Sequence, residues 1–314
     1  MSAHPTVLFL YTELAPYVLT CMGALAEEHG IDVHVVHWPV NKEAPFQLEA
    51  GKGVTLHDRS GLDDEQLLAL LDRVAPMAVF ASGWVDKGYL GACRTARVRG
   101  IRTVMCFDTA WRGTWRQRAN TIASRMWMQR TFSHAWVTGA LQAEYASRLG
   151  FAKERMRTGF YSAATDGFLR IGTRLMNERK SVWPHRLLCV ARYIPTKGQQ
   201  LLCDAFAELC NEGGAGDWEL DLVGTGELYN TVCSSPSGTH PRIHHLGFKQ
   251  VGEMEAVVNH AGAFVLPSTY EPWGVVVHEH ACLGLPLLLS SAVGAGERFL
   301  KDGENGLLFQ AGSR

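Results

Sequence analysis

From Val7 onward the chain alternates short apolar runs with longer amphipathic ones almost without interruption. Four- to six-residue strand-like segments read at Val7–Tyr11, Val33–His37, Met77–Ala81, Arg102–Phe107 and Ala135–Thr138. Between them, helical spacing reads at Val18–His29, Asp64–Val74, Lys87–Arg99 and Leu141–Leu149. The second half repeats the plan with strands at Arg186–Ala191, Glu219–Val223, Ile243–Leu246, Ala263–Leu266, Leu287–Ser290 and Gly306–Phe309. Apolar strands separated by helices must have both faces covered, so the expected fold class is α/β, with doubly wound parallel sheets. The stretch from about Phe160 to Pro184 breaks the rhythm. The expected domains are therefore 1–160 and 185–314, with 161–184 as the linker.

At 314 residues the chain is long enough for a substantial core in each domain. The net charge of −1 conceals a marked asymmetry. Residues 1–90 carry 5 Lys and Arg against 12 Asp and Glu, whereas residues 91–160 carry 13 against 3. The middle block is a basic patch that attracts anions. Arg112 to Arg130, with Trp111 just ahead of it, holds five arginines, Trp115 and Trp127, and no acid. One reading is a helix whose tryptophans pack inward; the other is a surface for an anionic acceptor or membrane headgroups, with peripheral membrane contact. Nucleic acid is not an expected partner, because the remainder is acidic and no reader motif is present. The eight cysteines have neither Cys-x-x-Cys nor zinc-like spacing, which suits a reducing, cytoplasmic location. No signal peptide or membrane-spanning run is expected.

The chemistry gathers where strands end. Glu271 and Glu279 lie eight positions apart across Ser268-Thr-Tyr-Glu-Pro-Trp-Gly-Val-Val-Val-His-Glu279, at a strand-to-helix junction. Pro272 and Gly274 fit the start of a helix, whose free N–H groups and positive dipole end favour an anion. Two carboxylates flanking such a site are suited to hydroxyls on either side of a diphosphate, the layout of a nucleotide sugar. The ordinary alternative is a solvated Glu pair. Arg192 and Lys197, five apart after the first strand of the second half, can converge on one phosphate. Gly224 and Gly226 follow the second strand, where they allow close backbone approach to a ligand or make an ordinary turn. Phe248 follows the third strand, either flanking a base or packing in the core. His278 and His280 stand two apart on the helix and point to different faces, which argues against a metal site. No Asp-x-Asp is present to anchor a nucleotide-bound metal.

Taken together, Arg192-x4-Lys197-Gly198, Gly224-x-Gly226, Leu246-Gly-Phe248, Glu271-Pro-Trp-Gly-x4-Glu279 and Gly303-Glu-Asn-Gly306-Leu-Leu-Phe resemble, in order and spacing, the donor-binding domain of glycosyltransferase family 4. That family comprises retaining enzymes of the GT-B fold, in which two Rossmann-like domains face a cleft. The likeness covers about Arg186 to Phe309, and the first half matches only in its alternation. It implies a metal-independent transferase without cofactor, moving a sugar from a nucleotide-diphosphate donor to a hydroxyl acceptor, lipid-linked or glycan, in surface glycan or glycolipid synthesis. It implies that Arg192 and Lys197 hold the diphosphate, that Glu279 binds the ribose and Glu271 the sugar, and that the amides of Gly274, Val275 and Val276 cap the phosphates. A glycoside phosphorylase and a non-catalytic sugar-nucleotide-binding protein stay open as alternatives.

The chain departs from the family in three places. Thr12-Glu-Leu-Ala-Pro16 replaces a Gly-rich loop. Cys106-Phe107-Asp108 stands where many relatives have a His, so Asp108, with Arg112, is the acceptor-side candidate. The sequence ends at Arg314, whereas relatives continue with further helices.

Overall fold

The computed structural model describes residues 4–180 and 182–313, which form two compact units. Unit 1 comprises Met1–Asn41 and Gln47–Ser162; unit 2 comprises Lys42–Phe46 and Ala163–Arg314.

Unit 1 runs β1 (Thr6–Tyr11), α1 (Pro16–His29), β2 (Asp32–His37), β3 (Val54–Asp58), α2 (Asp64–Val74), β4 (Ala78–Ser82), α3 (Lys87–Val98), β5 (Arg102–Phe107), α4 (Trp115–Thr131), β6 (His134–Val137), α5 (Ala140–Arg148) and β7 (Met156–Arg157). Its seven strands pair in parallel in the order β3-β2-β1-β4-β5-β6-β7. Period-two alternation sends Leu8 and Leu10 to one face, against Leu67 and Leu71 of α2 and Ala92 of α3. Val7, Phe9 and Tyr11 go to the other, against Val18 and Met22 of α1. Both faces are buried, as a parallel sheet requires.

Unit 2 runs α6 (Thr165–Glu178), β8 (Arg186–Val190), α7 (Gln199–Asn211), β9 (Glu219–Val223), α8 (Tyr229–Cys233), β10 (Ile243–Gly247), α9 (Met254–Val258), β11 (Ala263–Leu266), α10 (Val275–Cys282), β12 (Leu287–Ser290), α11 (Gly296–Phe299) and β13 (Gly306–Phe309). Its six strands are again parallel, ordered β10-β9-β8-β11-β12-β13. Each sheet reverses direction of growth once, between β1 and β4 in unit 1 and between β8 and β11 in unit 2. Crevices for ligands open at such switch points, beyond the strands' carboxyl ends.

Most of the stretch expected to be the linker is α6, an integral helix of unit 2. Leu175 is buried, Arg174 reaches Glu255 and Asn259 at 2.9 and 2.8 Å, and the buried Arg179 donates to the carbonyls of Val258 and Asn259 at 2.7 and 3.0 Å. Gly167 and Gly172 within it weaken the local helical signal, and packing against unit 2 supplies what propensity does not.

Candidate active site

Two loops follow the strands that flank the switch point of unit 2. The loop after β8 carries Arg192 and Lys197; the loop after β11 carries Glu271. They are stitched together, since the N–H groups of Thr269 and Tyr270 both donate to the carbonyl of Thr196, at 2.8 and 3.3 Å. The side-chain amide of Gln199 fixes the first loop from beneath, donating to the carbonyls of Ala191 and Arg192 at 3.2 and 2.7 Å. A third loop, after β12, braces the second: Glu271 N–H donates to Ala292 at 3.2 Å, and Gly294 N–H donates back to Glu271 at 3.0 Å. Within this frame the Lys197 ammonium donates directly to the Glu271 carboxylate, leaving 14% of the Lys197 side chain and 11% of the Glu271 side chain exposed.

Gly274 is the N-cap of α10, with φ 92° and ψ 75°, a left-handed conformation open to glycine. A Cβ there would stand 3.0 Å from Cγ of Glu271. Val275 and Val276 open the helix, in the turn whose N–H groups an α-helix's own ladder leaves without acceptors. Glu279 lies about one turn further along α10. It is partly buried and makes no ion pair with any described residue, and burial pushes its carboxyl up to about 7. A carboxylate left without a cation in a low-dielectric setting is one that a hydroxyl donor would satisfy.

Gly224 and Gly226 serve the protein's own backbone. A Cβ on Gly224 would meet the carbonyl oxygen of Ala191 at 2.0 Å, and one on Gly226 that of Tyr193 at 2.6 Å. These glycines let the loop after β9 lie against the loop that carries Arg192. Phe248 is engaged too: Phe46 meets its ring edge-on, with centroids 5.0 Å apart. Phe46 belongs to Lys42–Phe46, a segment from the first part of the sequence that packs with unit 2. Thr225 Oγ1 donates to the carbonyl of Glu43 at 2.9 Å, Gln250 donates to that of Pro45 at 2.9 Å, and the Glu43 carboxylate lies 3.8 Å from Arg192. Local pattern gives no sign of this segment, because its partners lie about two hundred positions away.

The imidazoles of His278 and His280 turn to different neighbours. His278 accepts from Ala163 N–H at 3.1 Å and stacks on Phe299; His280 is buried, donates to the carbonyl of Val276 at 2.7 Å and stacks on Phe264. Burial pushes the His280 imidazole down to about 4, so it is neutral at ordinary pH.

Unit 1 has its own switch-point crevice, a cavity of about 310 Å³ lined by Thr12, Glu13, Ser82, Asp108, Thr109 and their neighbours. Thr12 N–H donates to Ser82 Oγ at 2.9 Å, joining the loop after β1 to the end of β4. Asp108 therefore lines the crevice, whereas Arg112 does not. Arg112 is exposed at the approach to α4, its N–H donating to the Gln117 side chain at 2.8 Å.

Comparison with known proteins agrees with this architecture. Residues 184–314 match the family described as glycosyl transferases group 1. An uncharacterized glycosyltransferase of Methanocaldococcus jannaschii is 30% identical over 122 residues, which are 38% of this chain and 32% of that protein. The lipopolysaccharide core biosynthesis glycosyltransferase LpsE of Rhizobium meliloti is 27% identical over 128 residues, 40% of this chain and 35% of that protein. The matches thus span about a third of the length of these relatives. Among solved structures, Anabaena HepE in complex with UDP and glucose superimposes with a TM-score of 0.68 at 17% identity, covering 99% of this chain and 87% of that one. Two parallel-sheet Rossmann-like units with these neighbours constitute the GT-B fold.

Proposed function

We propose that the protein is a retaining glycosyltransferase that moves a sugar from a nucleotide-diphosphate donor to a hydroxyl acceptor, with the donor bound by unit 2. The observation that carries this reading is the convergence, at one switch point, of the Lys197–Glu271 pair, the Gly274 helix start and a carboxylate, Glu279, with no cation partner among the described residues. In this reading the diphosphate takes over Lys197 as its counter-ion and lies against the first amides of α10. Arg192, a half-exposed guanidinium in the same loop, adds a second cation. Glu271, released from Lys197, accepts from a sugar hydroxyl, and Glu279 accepts from the ribose.

In the transfer itself, the bond between the anomeric carbon and the diphosphate oxygen breaks while the acceptor oxygen bonds to the same face of that carbon. The acceptor's proton passes to the departing phosphate oxygen. No side-chain nucleophile is used, and no metal: the charge growing on the diphosphate is met by Lys197, Arg192 and the helix terminus, donors whose individual loss costs about 2.7–4 kcal/mol of transition-state energy in comparable sites. The family match over residues 184–314 supports the donor assignment. HepE is described with UDP and with UDP-glucose, which favours a uridine donor as the first to test. The printed role of LpsE in lipopolysaccharide core synthesis favours a glycan or glycolipid product.

The test is a thermal-shift screen against uridine, guanosine and adenosine diphosphates, followed by titration of the best ligand into Glu279→Ala. Loss of the charged acceptor should weaken binding by about 1.5–3 kcal/mol. Unchanged affinity in a folded variant, or absence of any nucleotide response together with a response to inorganic phosphate, would overturn the reading.

A further inference from the structure

We infer that α4 is a membrane-contact surface, built to lie on an anionic bilayer with one uncovered apolar stripe between two rows of arginine.

The phase of the helix is the first observation. Ser124, Met128 and Thr131 face inward and are buried, and Trp127 packs beside them against the core of unit 1. Trp111, just ahead of the helix, is also turned in: its ring meets Tyr145 at 5.6 Å and is covered by the Arg148 guanidinium at 4.4 Å. Trp115, Ile122 and Met126 take the opposite side, with exposures of 74%, 82% and 72%. At 100° per residue, positions 115, 119, 122 and 126 fall within one narrow sector, so Ala119 completes a continuous apolar line. A helix that buries one apolar face and leaves a second uncovered has a surface for something apolar.

Charge identifies what that is. By the same phase, Arg118 and Arg125 run along one margin of the stripe and Arg116 and Arg130 along the other, all exposed. Arg116 lies over the Trp115 ring at 5.4 Å, a placement that keeps the guanidinium at the height of the indole. No Asp or Glu occurs from Thr109 to Ala143, so the helix itself carries no acid that would repel an anionic surface. Arginines flanking a Trp-led apolar line are the pattern of a helix lying in the headgroup region: side chains dip into the acyl boundary and guanidiniums meet phosphates. No helix among the described residues is long and apolar enough to cross a membrane, so the contact is peripheral.

The experiment is co-sedimentation of the full chain with phosphatidylcholine vesicles with and without phosphatidylglycerol, at low and high salt. The wild type should sediment with the anionic vesicles and not with the neutral ones. Ile122→Glu/Met126→Glu should reduce partitioning more than about tenfold at both salt concentrations, since apolar burial is not screened. Arg116→Glu/Arg118→Glu should reduce it about fivefold or more per residue at low salt, and the difference should shrink as screening weakens the wild type. All four positions are exposed, so melting temperatures should stay within a few degrees of wild type. Failure of the wild type to bind anionic vesicles at low salt would overturn the inference. So would wild-type binding by the Ile122→Glu/Met126→Glu variant, which would leave only a polyanion-binding face. A wild-type dimer that this variant converts to monomer would assign the stripe to a second copy instead. Nucleotide affinity, which belongs to unit 2, should be unchanged in every variant.

Discussion

Lys197 and Glu271, 74 positions apart in the chain, meet as an ion pair between the loops that flank the switch point of unit 2. Each is mostly buried, so each depends on the other for solvation that water would otherwise supply. In the proposed reading the pair holds a cation where the diphosphate needs one, with Glu271 as its partner until the ligand arrives.

Replacing one member should therefore have opposite consequences for stability and for ligand. Lys197→Met strands a buried carboxylate and should cost about 3 kcal/mol, the lower end for breaking a buried pair. Lys197→Met/Glu271→Gln should cost less than Lys197→Met alone, because the stranded charge is gone. Glu271→Gln alone should tighten binding of a nucleoside diphosphate that lacks the sugar, since Lys197 no longer has to be drawn away from a carboxylate. Thermal unfolding and calorimetric titration read both effects, and a Glu271→Gln variant with weakened diphosphate binding would contradict the exchange of partners.

Glu279 makes the protein's stability depend on pH in an uncommon direction. Its carboxyl is raised from the ordinary 4.5 to about 7 by burial, so the folded state holds a proton that the unfolded chain has released. Stability is complete below about 4.5, falls as pH rises towards 7 and is constant beyond, a loss of up to about 3 kcal/mol from this one group. Glu279→Gln should remove that slope, leaving the variant more stable than wild type at pH 8 and nearly equal at pH 4. A donor hydroxyl prefers the ionised form, so affinity for an intact nucleotide sugar should climb with pH up to about 7 in the wild type and stay level in Glu279→Gln. Parallel denaturation curves for the two proteins across that range would refute the assignment.

The parts of this fold that are legible in the sequence are those whose burial is periodic. β1, with every residue from Val7 to Tyr11 buried, reads as a strand at once. β3 does not: only Val54 of its five residues is buried, because it is the edge strand of its sheet and its Thr55 and Asp58 are exposed. α6 is obscured by Gly167 and Gly172. Arg192, Lys197 and Glu271 could be singled out because they follow strand ends, and Glu279 because it lies in the helix that such a loop opens, but their pairing could not. That Lys197 meets Glu271, while Glu279 pairs with no cation among the described residues, depends on loops brought together by β8 and β11. The role of Lys42–Phe46 was invisible for the same reason. Among the tryptophans, composition leaves inward packing and a surface both open; helix phase turns Trp127 inward and leaves Trp115 out, and Trp111, ahead of the helix, packs on Tyr145.

Gly224→Ala tests whether the glycine pair shapes the protein or touches a ligand. Its φ of 133° disfavours a side chain, and the added Cβ would lie 2.0 Å from the Ala191 carbonyl, so the loops after β8 and β9 must part. The expected loss is about 2–4 kcal/mol, with lower protein yield and a displaced Arg192. A variant of normal melting temperature that binds nucleotide poorly would mean that the glycine faces ligand instead.

Asp108→Asn separates the two units' contributions. Asp108 lines the polar crevice of unit 1 with Thr12, Glu13 and Ser82, whereas every residue assigned to the donor belongs to unit 2. Its backbone carbonyl is already held by the Gln142 side chain at 2.9 Å, so an isosteric amide should leave the loop in place. If the carboxylate orients the acceptor or a sugar hydroxyl, the turnover rate should fall about tenfold to a hundredfold, the value of one charged hydrogen bond made in the transition state. The nucleoside diphosphate affinity should be unchanged, because that ligand makes no use of unit 1 in the proposed reading. Full turnover in Asp108→Asn would remove this crevice from the reaction and leave Asp108 a structural residue at the end of β5.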